Sequence, residues 1–412
     1  MITIARNCLL MSCLWLMHPT LVFANEAENR CDHHIAQWLD PASGETLPTE
    51  QLFKRLASTN VVLLGEQHTT IQHHRWQSYV LAALHSRNSN MVVGFEMLPR
   101  RAQPVLDAFS AGTLTEDAFL EQSEWDEVWG YDADLYLPLF HFARLNRLPT
   151  VALNVDRELV SLVGDNGWNA LTQEQREGLS DPAPASDAYR TSLAKLYALK
   201  MSMRAGPEDT EITEPGPEVL HDIKRSDEFS NFVDAQLTWD RAMAEALAAA
   251  YRRDPDALVV GIVGRGHLEY GYGIPHQLSD MGIDDVAVLL PLSATDTCDP
   301  LDSELATAVF VIDADSDDEP AAARPRLGVI IEATDGGVRV IEVVAGSLAA
   351  QIGLLKGDVI ESAAGFTTET PAALIKVIGR QAPGTWLPLR VLRGDVTHEL
   401  VARFPQSFDA TP

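Results

Sequence analysis

Four apolar runs each lead straight into polar residues that can do chemistry, and this coincidence constrains the fold more than any other feature of the chain. Val61-Val62-Leu63-Leu64-Gly65 runs into Glu66-Gln67-His68, and Met91 to Phe95 ends at Glu96. Thr150 to Asn154 ends on an amide, and Leu258 to Gly264 leads into Arg265-Gly266-His267. Short continuous apolar runs of this kind are characteristic of strands buried on both faces, as in parallel sheets. A fifth run, Val286 to Leu290, is expected to close the sheet. Helical patterns lie between the runs, clearest from Glu228 to Arg253, where Phe229, Phe232, Val233, Gln236, Trp239, Met243 and Leu247 recur at helical spacing. The alternation predicts an α/β domain whose mostly parallel sheet is flanked by helices. Stretches rich in Pro, Gly and acid, 181–184 and 206–217, predict loops.

Open α/β sheets bind ligands in the crevice above the carboxyl ends of their strands. Parallel pairing would therefore gather Glu66, His68, Glu96 and His267 at one edge, although they lie far apart in sequence. Two imidazoles and two carboxylates in one crevice can hold a divalent metal, activate water or contact a cofactor. Each also has an ordinary reading: a strand-end histidine is commonly satisfied by a local hydrogen bond, and Glu66 could cap the next helix. Their recurrence at successive strand ends favours a shared site. Gly65, Gly264 and Gly266 would let the backbone turn and approach a ligand closely. His73 and His74 open the first long helix, which should turn one outward and the other toward the crevice or sheet.

A chain of 412 residues suits two domains. It opens with Arg6, an apolar stretch from Cys8 to Phe23, and Val22-Phe23-Ala24, which fits a signal peptide over residues 1–24. His18 and Pro19 break the run, which argues against a membrane anchor. Leu10-Met11-Ser12-Cys13 is a poor lipobox because little apolar sequence precedes it. The expected location is periplasmic or otherwise exported, with outer-membrane association left open. Cleavage would leave Cys31 and Cys298, and an even count in an oxidising compartment predicts a disulfide tying off a first domain of residues 25–298.

The net charge of −28 falls almost wholly before Arg324, because nine basic and nine acidic residues balance from there onward. So acidic a surface excludes nucleic acid, whose binding rests on neutralising phosphates. Eight acids and no base lie between Asp299 and Pro320, so residues 299–323 are expected to be an acidic linker. Glu304 to Ile312 within it is apolar enough to pack as a strand or short helix.

The rest of the chain opens strands at Arg326-Leu327-Gly328-Val329 and Val338 to Val344, followed by Ser347-Leu348-Ala349-Ala350, Gly353-Leu354 and Lys356-Gly357-Asp358-Val359-Ile360. This succession resembles the PDZ family over residues 324–406 and implies a small, β-rich domain. The resemblance further implies that the loop at Arg326, Leu327 and Gly328, running into Val329, holds a peptide's C-terminal carboxylate with backbone N–H groups while the peptide pairs with an exposed strand. The implied partner is the C-terminal peptide of an envelope protein. Glu361-Ser362-Ala363-Ala364-Gly365 departs from the family's usual Asn-Gly turn.

The first domain contains, in order, Gly65-Glu66-Gln67-His68 with His73-His74, Phe95-Glu96-Met97, Ala152-Leu153-Asn154, Trp239-Asp240-Arg241-Ala242-Met243-Ala244, Gly264-Arg265-Gly266-His267 and Gly273-Ile274-Pro275. With these motifs it resembles the ChaN family of haem-binding iron-uptake lipoproteins. The resemblance implies haem held between two copies of the chain, with a tyrosine on the iron. No motif places that tyrosine; Tyr131, Tyr136, Tyr270 and Tyr272 are candidates, with His68, His74 and His267 as further cofactor ligands. The wider superfamily includes Tiki metalloproteases and erythromycin esterases, which implies a metal-binding or water-activating role for Glu66, His68, Glu96 and His267. Three readings follow: a haem-binding envelope protein, a metal-dependent or histidine-based hydrolase, and a non-catalytic PDZ adaptor.

Overall fold

The computed structural model describes residues 34–205, 215–297, 300–313, 325–334 and 336–406. The signal-peptide segment and both Cys31 and Cys298 lie outside the described residues, as does most of the 206–217 stretch. Eight strands form the first sheet: β1 (Trp38–Leu39), β2 (Thr46–Leu47), β3 (Val61–Glu66), β4 (Met91–Pro99), β5 (Thr150–Asn154), β6 (Leu258–Gly264), β7 (Val286–Ser293) and β8 (Ala308–Ile312). Their order is β2-β1-β8-β7-β3-β6-β4-β5. The six strands from β8 to β5 are mutually parallel, and only β1 and β2 run antiparallel at one edge. All five apolar runs identified in the sequence are strands of this parallel block.

Burial explains why these strands read as continuous apolar runs. Alternate side chains of β3 enter two cores: Val62 and Leu64 pack with Trp76, Phe95 and Ile262, whereas Val61 and Leu63 pack with Met243, Leu247 and Val263. Helices cover both faces, so neither set can be polar. The helix Asp227–Arg253 starts one residue before the expected position, capped by Ser226, whose Oγ accepts from Phe229 N–H. Among the described residues no helix is long and apolar enough to cross a membrane.

The boundary drawn at residue 298 is corrected. Ala308–Ile312 is β8, bonded in parallel to β7 and antiparallel to β1, so the first domain reaches residue 312. Its apolar side chains outweigh the acids around it: Ala308, Val309, Val311 and Ile312 are buried. The linker is correspondingly shorter.

The second domain is a separate antiparallel sheet of β9 (Val329–Thr334), β10 (Gly337–Val343), β11 (Val359–Ala363), β12 (Phe366–Thr367), β13 (Trp386–Arg393) and β14 (Val396–Arg403), ordered β14-β13-β11-β10-β9 with β12 beside β11. The helix Pro371–Gly379 packs Leu374 and Ile378 into its core. The irregular Ala364-Gly365 pair is the β11–β12 turn, with φ of 51° and 84°. Such a turn favours Asn before Gly, because a side chain with Cβ is strained in the left-handed region. Ala364→Asn is therefore expected to stabilise this domain by up to about 1 kcal/mol, read as a rise in its denaturation midpoint.

Candidate functional site

The parallel block ends its strands along one edge, and the four motif residues meet there. Glu66 is the last residue of β3 and is 1% exposed. The chain turns immediately, and His68 folds back so that its Nδ1 donates to Glu66 Oε1 at 2.6 Å. Thr70 rather than Glu66 precedes the helix Ile71–His85, so Glu66 is not a helix cap. Glu96 sits within β4, where its Oε2 accepts from Gly264 N–H at 2.5 Å, while Oε1 lies 3.7 Å from His267 Nε2. Glu96 thus ties the end of β6 to β4 and faces the second histidine.

Gly264 has a packing role. A Cβ there would lie 2.8 Å from His68 Cε1 and 3.5 Å from Glu96 Oε2, so only glycine lets the ring lie against β6. Gly266 is different: a Cβ there meets no protein atom within 4 Å.

Sequence reasoning did not single out the residue that controls His267. Asp240, fully buried in the helix Asp227–Arg253, accepts from His267 Nδ1 at 2.6 Å and from the Tyr189 hydroxyl at 2.8 Å. The site is therefore two carboxylate–imidazole pairs, Glu66–His68 and Asp240–His267, on either side of Glu96. Burial works to depress both imidazoles, but the carboxylates win. The Asp240 bond and the Asp240 and Glu96 charges push His267 up to about 9. The Glu66 bond and the Glu96 and Glu66 charges raise His68 as well. His267 is consequently a cation at neutral pH, a hydrogen-bond donor rather than a base.

His68, Glu96 and His267 line a cavity of about 600 Å³ together with Trp129, Tyr131 and Trp239. That volume lies in the range of small-molecule sites, roughly 300–1,000 Å³. The His68 ring meets Trp129 at 4.8 Å and Tyr131 at 4.9 Å between centroids. Arg157 stands on the wall, and Tyr197 and Met201 come from the helix Asp187–Ala205. Glu66 Oε2 is buried and has no hydrogen-bond partner among the described residues.

Several expected ligands are placed elsewhere. His74 is 2% exposed and lies beneath the turn, its ring nitrogens facing Gln77 Oε1 at 3.1 Å and His68 O at 3.3 Å. It supports His68 and does not line the cavity. His73, expected to be the opposite of His74 in burial, is also buried, at 4% exposure. Tyr136 is fully buried and donates to His68 O at 3.2 Å. Tyr270 and Tyr272 stack on each other at 5.2 Å outside the cavity lining, Tyr270 packing against the core that holds Met243 and Leu268 and Tyr272 against Tyr189. Among the described residues no group of three or more His, Cys, Asp or Glu side chains is placed to hold one ion, so a divalent metal at Glu66, His68, Glu96 and His267 gains no support. Glu66 Oε1, Glu96 Oε2 and His267 Nδ1 are engaged by His68, Gly264 and Asp240.

In the second domain, Gly328 has φ +77° and a Cβ there would meet Ser347 Cβ at 2.3 Å. Leu327 is 2% exposed and anchors the loop in the core. The carbonyls of Leu327 and Gly328 accept from Ala349 and Val344 N–H at 2.8 and 2.9 Å, whereas the loop's own N–H groups donate to nothing among the described residues. Arg326 is exposed, and Val329 begins β9, the outer strand of its sheet.

A family model described as haem-binding uptake, Tiki superfamily, ChaN matches residues 52–278, more than half of the chain, and a PDZ-domain model matches residues 325–402. Similar solved structures include ChaN of Campylobacter jejuni with cofacial haem, at 20% identity and TM-score 0.49, covering 66% of this chain and 95% of that one. They also include the HtrA-type protease AlgW with a decapeptide, at 27% identity and TM-score 0.19, covering 19% of this chain and 28% of that one. The HtrA3 PDZ domain bound to a phage-derived ligand matches at 20% identity and TM-score 0.18, covering 19% and 82%. No curated protein matches the chain. The chain belongs to the ChaN family of haem-binding uptake proteins, Tiki superfamily, and carries a PDZ domain behind its haem-binding domain.

Proposed function

We propose that the chain is an exported envelope protein that takes up haem in the cavity between His68 and His267 and recruits a partner through its PDZ domain. The observation that carries the reading is His68 itself. Its Nδ1 is held by a buried carboxylate, leaving Nε2 for a ligand, and its ring stands between two aromatic walls. A carboxylate behind an imidazole is the usual support of a metal-bound histidine, and flat aromatic walls suit a porphyrin. Haem, when bound, would supply a redox-active iron, and His68 and the Tyr131 hydroxyl are the groups that would hold it. Arg157 offers a charge for a propionate. Export, outer-membrane association and the Cys31–Cys298 disulfide belong to the same reading, and intact-mass analysis of the mature, unreduced protein is expected to find no free thiol. So does a homodimer, for which exposed Leu196 and Met201 on the helix Asp187–Ala205 offer apolar surface.

Peptide capture by the PDZ domain is supported by the open N–H groups of the Arg326–Gly328 loop and the unpaired outer edge of β9. A fluorescent peptide ending in a free carboxylate and an apolar residue is expected to bind. Amidating its C-terminus should weaken binding at least tenfold, because charge-assisted bonds to the loop contribute roughly 1.5–3 kcal/mol each. Equal binding of acid and amide peptides would contradict this role.

A further inference from the structure

Both motif turns place neighbouring side chains in two different cavities. His68 and His267 line the large one, whereas Gln67 and Arg265 line a second of about 200 Å³ at the ends of β7 and β8. His73 lies in this second cavity, 4% exposed, and none of its residues has a role in the haem reading.

The polar groups there are set for a particular kind of ligand. Gln67 N–H donates to His73 Nδ1 at 2.9 Å, which fixes the tautomer and leaves the proton on Nε2. That N–H has no partner among the described residues. Burial, helped by the Arg265 charge, lowers His73 to about 4, so the ring is a neutral donor. Arg265 uses Nε on Glu269, and its terminal nitrogens bond to nothing else among the described residues. Pro291 and Leu292 supply a buried apolar flank. Asp296, exposed at the rim, has no ion pair among the described residues.

We propose that this second cavity binds a free α-amino acid or an equally compact zwitterion: the carboxylate on Arg265 and His73, the ammonium on Asp296, the side chain against Pro291 and Leu292. The lining carries both signs, Arg265 against Asp296 and Asp313: a bare anion would meet the two carboxylates and a bare cation would meet Arg265, whereas a ligand carrying both charges satisfies the lining. The proposal stands apart from haem binding.

The test is calorimetric titration of the full chain with glycine, alanine, proline, valine and leucine, each beside the acid and the amine of the same carbon skeleton. At least one amino acid should bind saturably, with its matched acid and amine roughly tenfold weaker or more. Asp296→Asn, on the exposed rim, should weaken the amino acid while leaving the matched acid as tight or tighter, since it removes a like charge, and Arg265→Gln should weaken both. The Soret spectrum of added haem should be the same in wild type and Asp296→Asn. Absence of saturable binding by all five amino acids overturns the proposal. So does binding that Asp296→Asn leaves unchanged, a result that remains decisive should Arg265→Gln fail to fold.

Discussion

Folding stability of the first domain is expected to peak near pH 6.5 and to fall on both sides, by roughly 3 kcal/mol on each limb. The alkaline limb belongs to His267. Its folded value of about 9 lies above the ordinary 6.5, so the folded state holds a proton that the unfolded chain releases first. The stabilisation is complete below pH 6.5 and is lost as pH rises toward 9; His68, also raised, adds to the same slope. The acid limb belongs to His73, lowered to about 4. There the unfolded chain binds the proton first, so stability present above pH 6.5 is lost as pH falls toward 4. Asp240→Asn removes the charge that holds His267 up and should flatten the alkaline limb while leaving the acid limb in place. Asp240→Ala should cost about 3–5 kcal/mol at pH 6.5, since it strands a buried cation and the Tyr189 hydroxyl. Urea unfolding at pH 4.5, 6.5 and 9 measures all three. An alkaline limb unchanged in Asp240→Asn would show that another group carries it.

The reach of sequence reasoning here follows from what is local and what is not. Strand ends were legible because a strand buried on both faces must be apolar, so the first polar residue after it marks the edge; Glu66, His68, Glu96 and His267 all follow from that rule. Asp240 was hidden because a charged residue in a long helix ordinarily faces water. A signal was nevertheless present: Gln236, Asp240, Met243 and Leu247 share one face, and that face was already identified as buried. An acid on a buried stripe must have a partner. Nothing local announced Tyr189 or Trp129, or set Tyr131 apart from the other candidate tyrosines, because helix and loop docking over the sheet edge is decided by long-range packing. Tyr270 and Tyr272 lie outside the cavity lining for the converse reason: proximity to His267 in sequence says little about which side chains share a cavity. The β8 strand was legible as an apolar segment, strand or short helix, but its place in the first sheet was not, because five apolar residues inside an acidic stretch do not say which domain they join.

The second large effect concerns the ligand. Glu66 buries one oxygen against His68 Nδ1 and leaves the other without a partner, so the carboxylate is committed to orienting a single imidazole. Glu66→Gln should weaken haem binding roughly 10–100-fold, the usual cost of losing the carboxylate behind a metal-bound histidine. His68→Ala should remove the ligand itself and do more. Gly264→Ala should act like a milder His68 variant, because its methyl group clashes with the ring at 2.8 Å while meeting Glu96 Oε2 only at ordinary contact distance, 3.5 Å. Binding should also weaken as pH falls, since protons compete for Nε2 and the raised pKa of His68 extends that competition upward.

The measurement that reaches the central claim most directly is a haem titration followed in the Soret region, on wild type and on His68→Ala, Glu66→Gln and Tyr131→Phe. The account predicts saturable binding by wild type, a shifted band with Tyr131→Phe, and weakening in the order Glu66→Gln then His68→Ala, all four proteins folding alike. Wild type that gives no saturable Soret change, or a His68→Ala protein that binds haem with the wild-type spectrum and affinity, would contradict it.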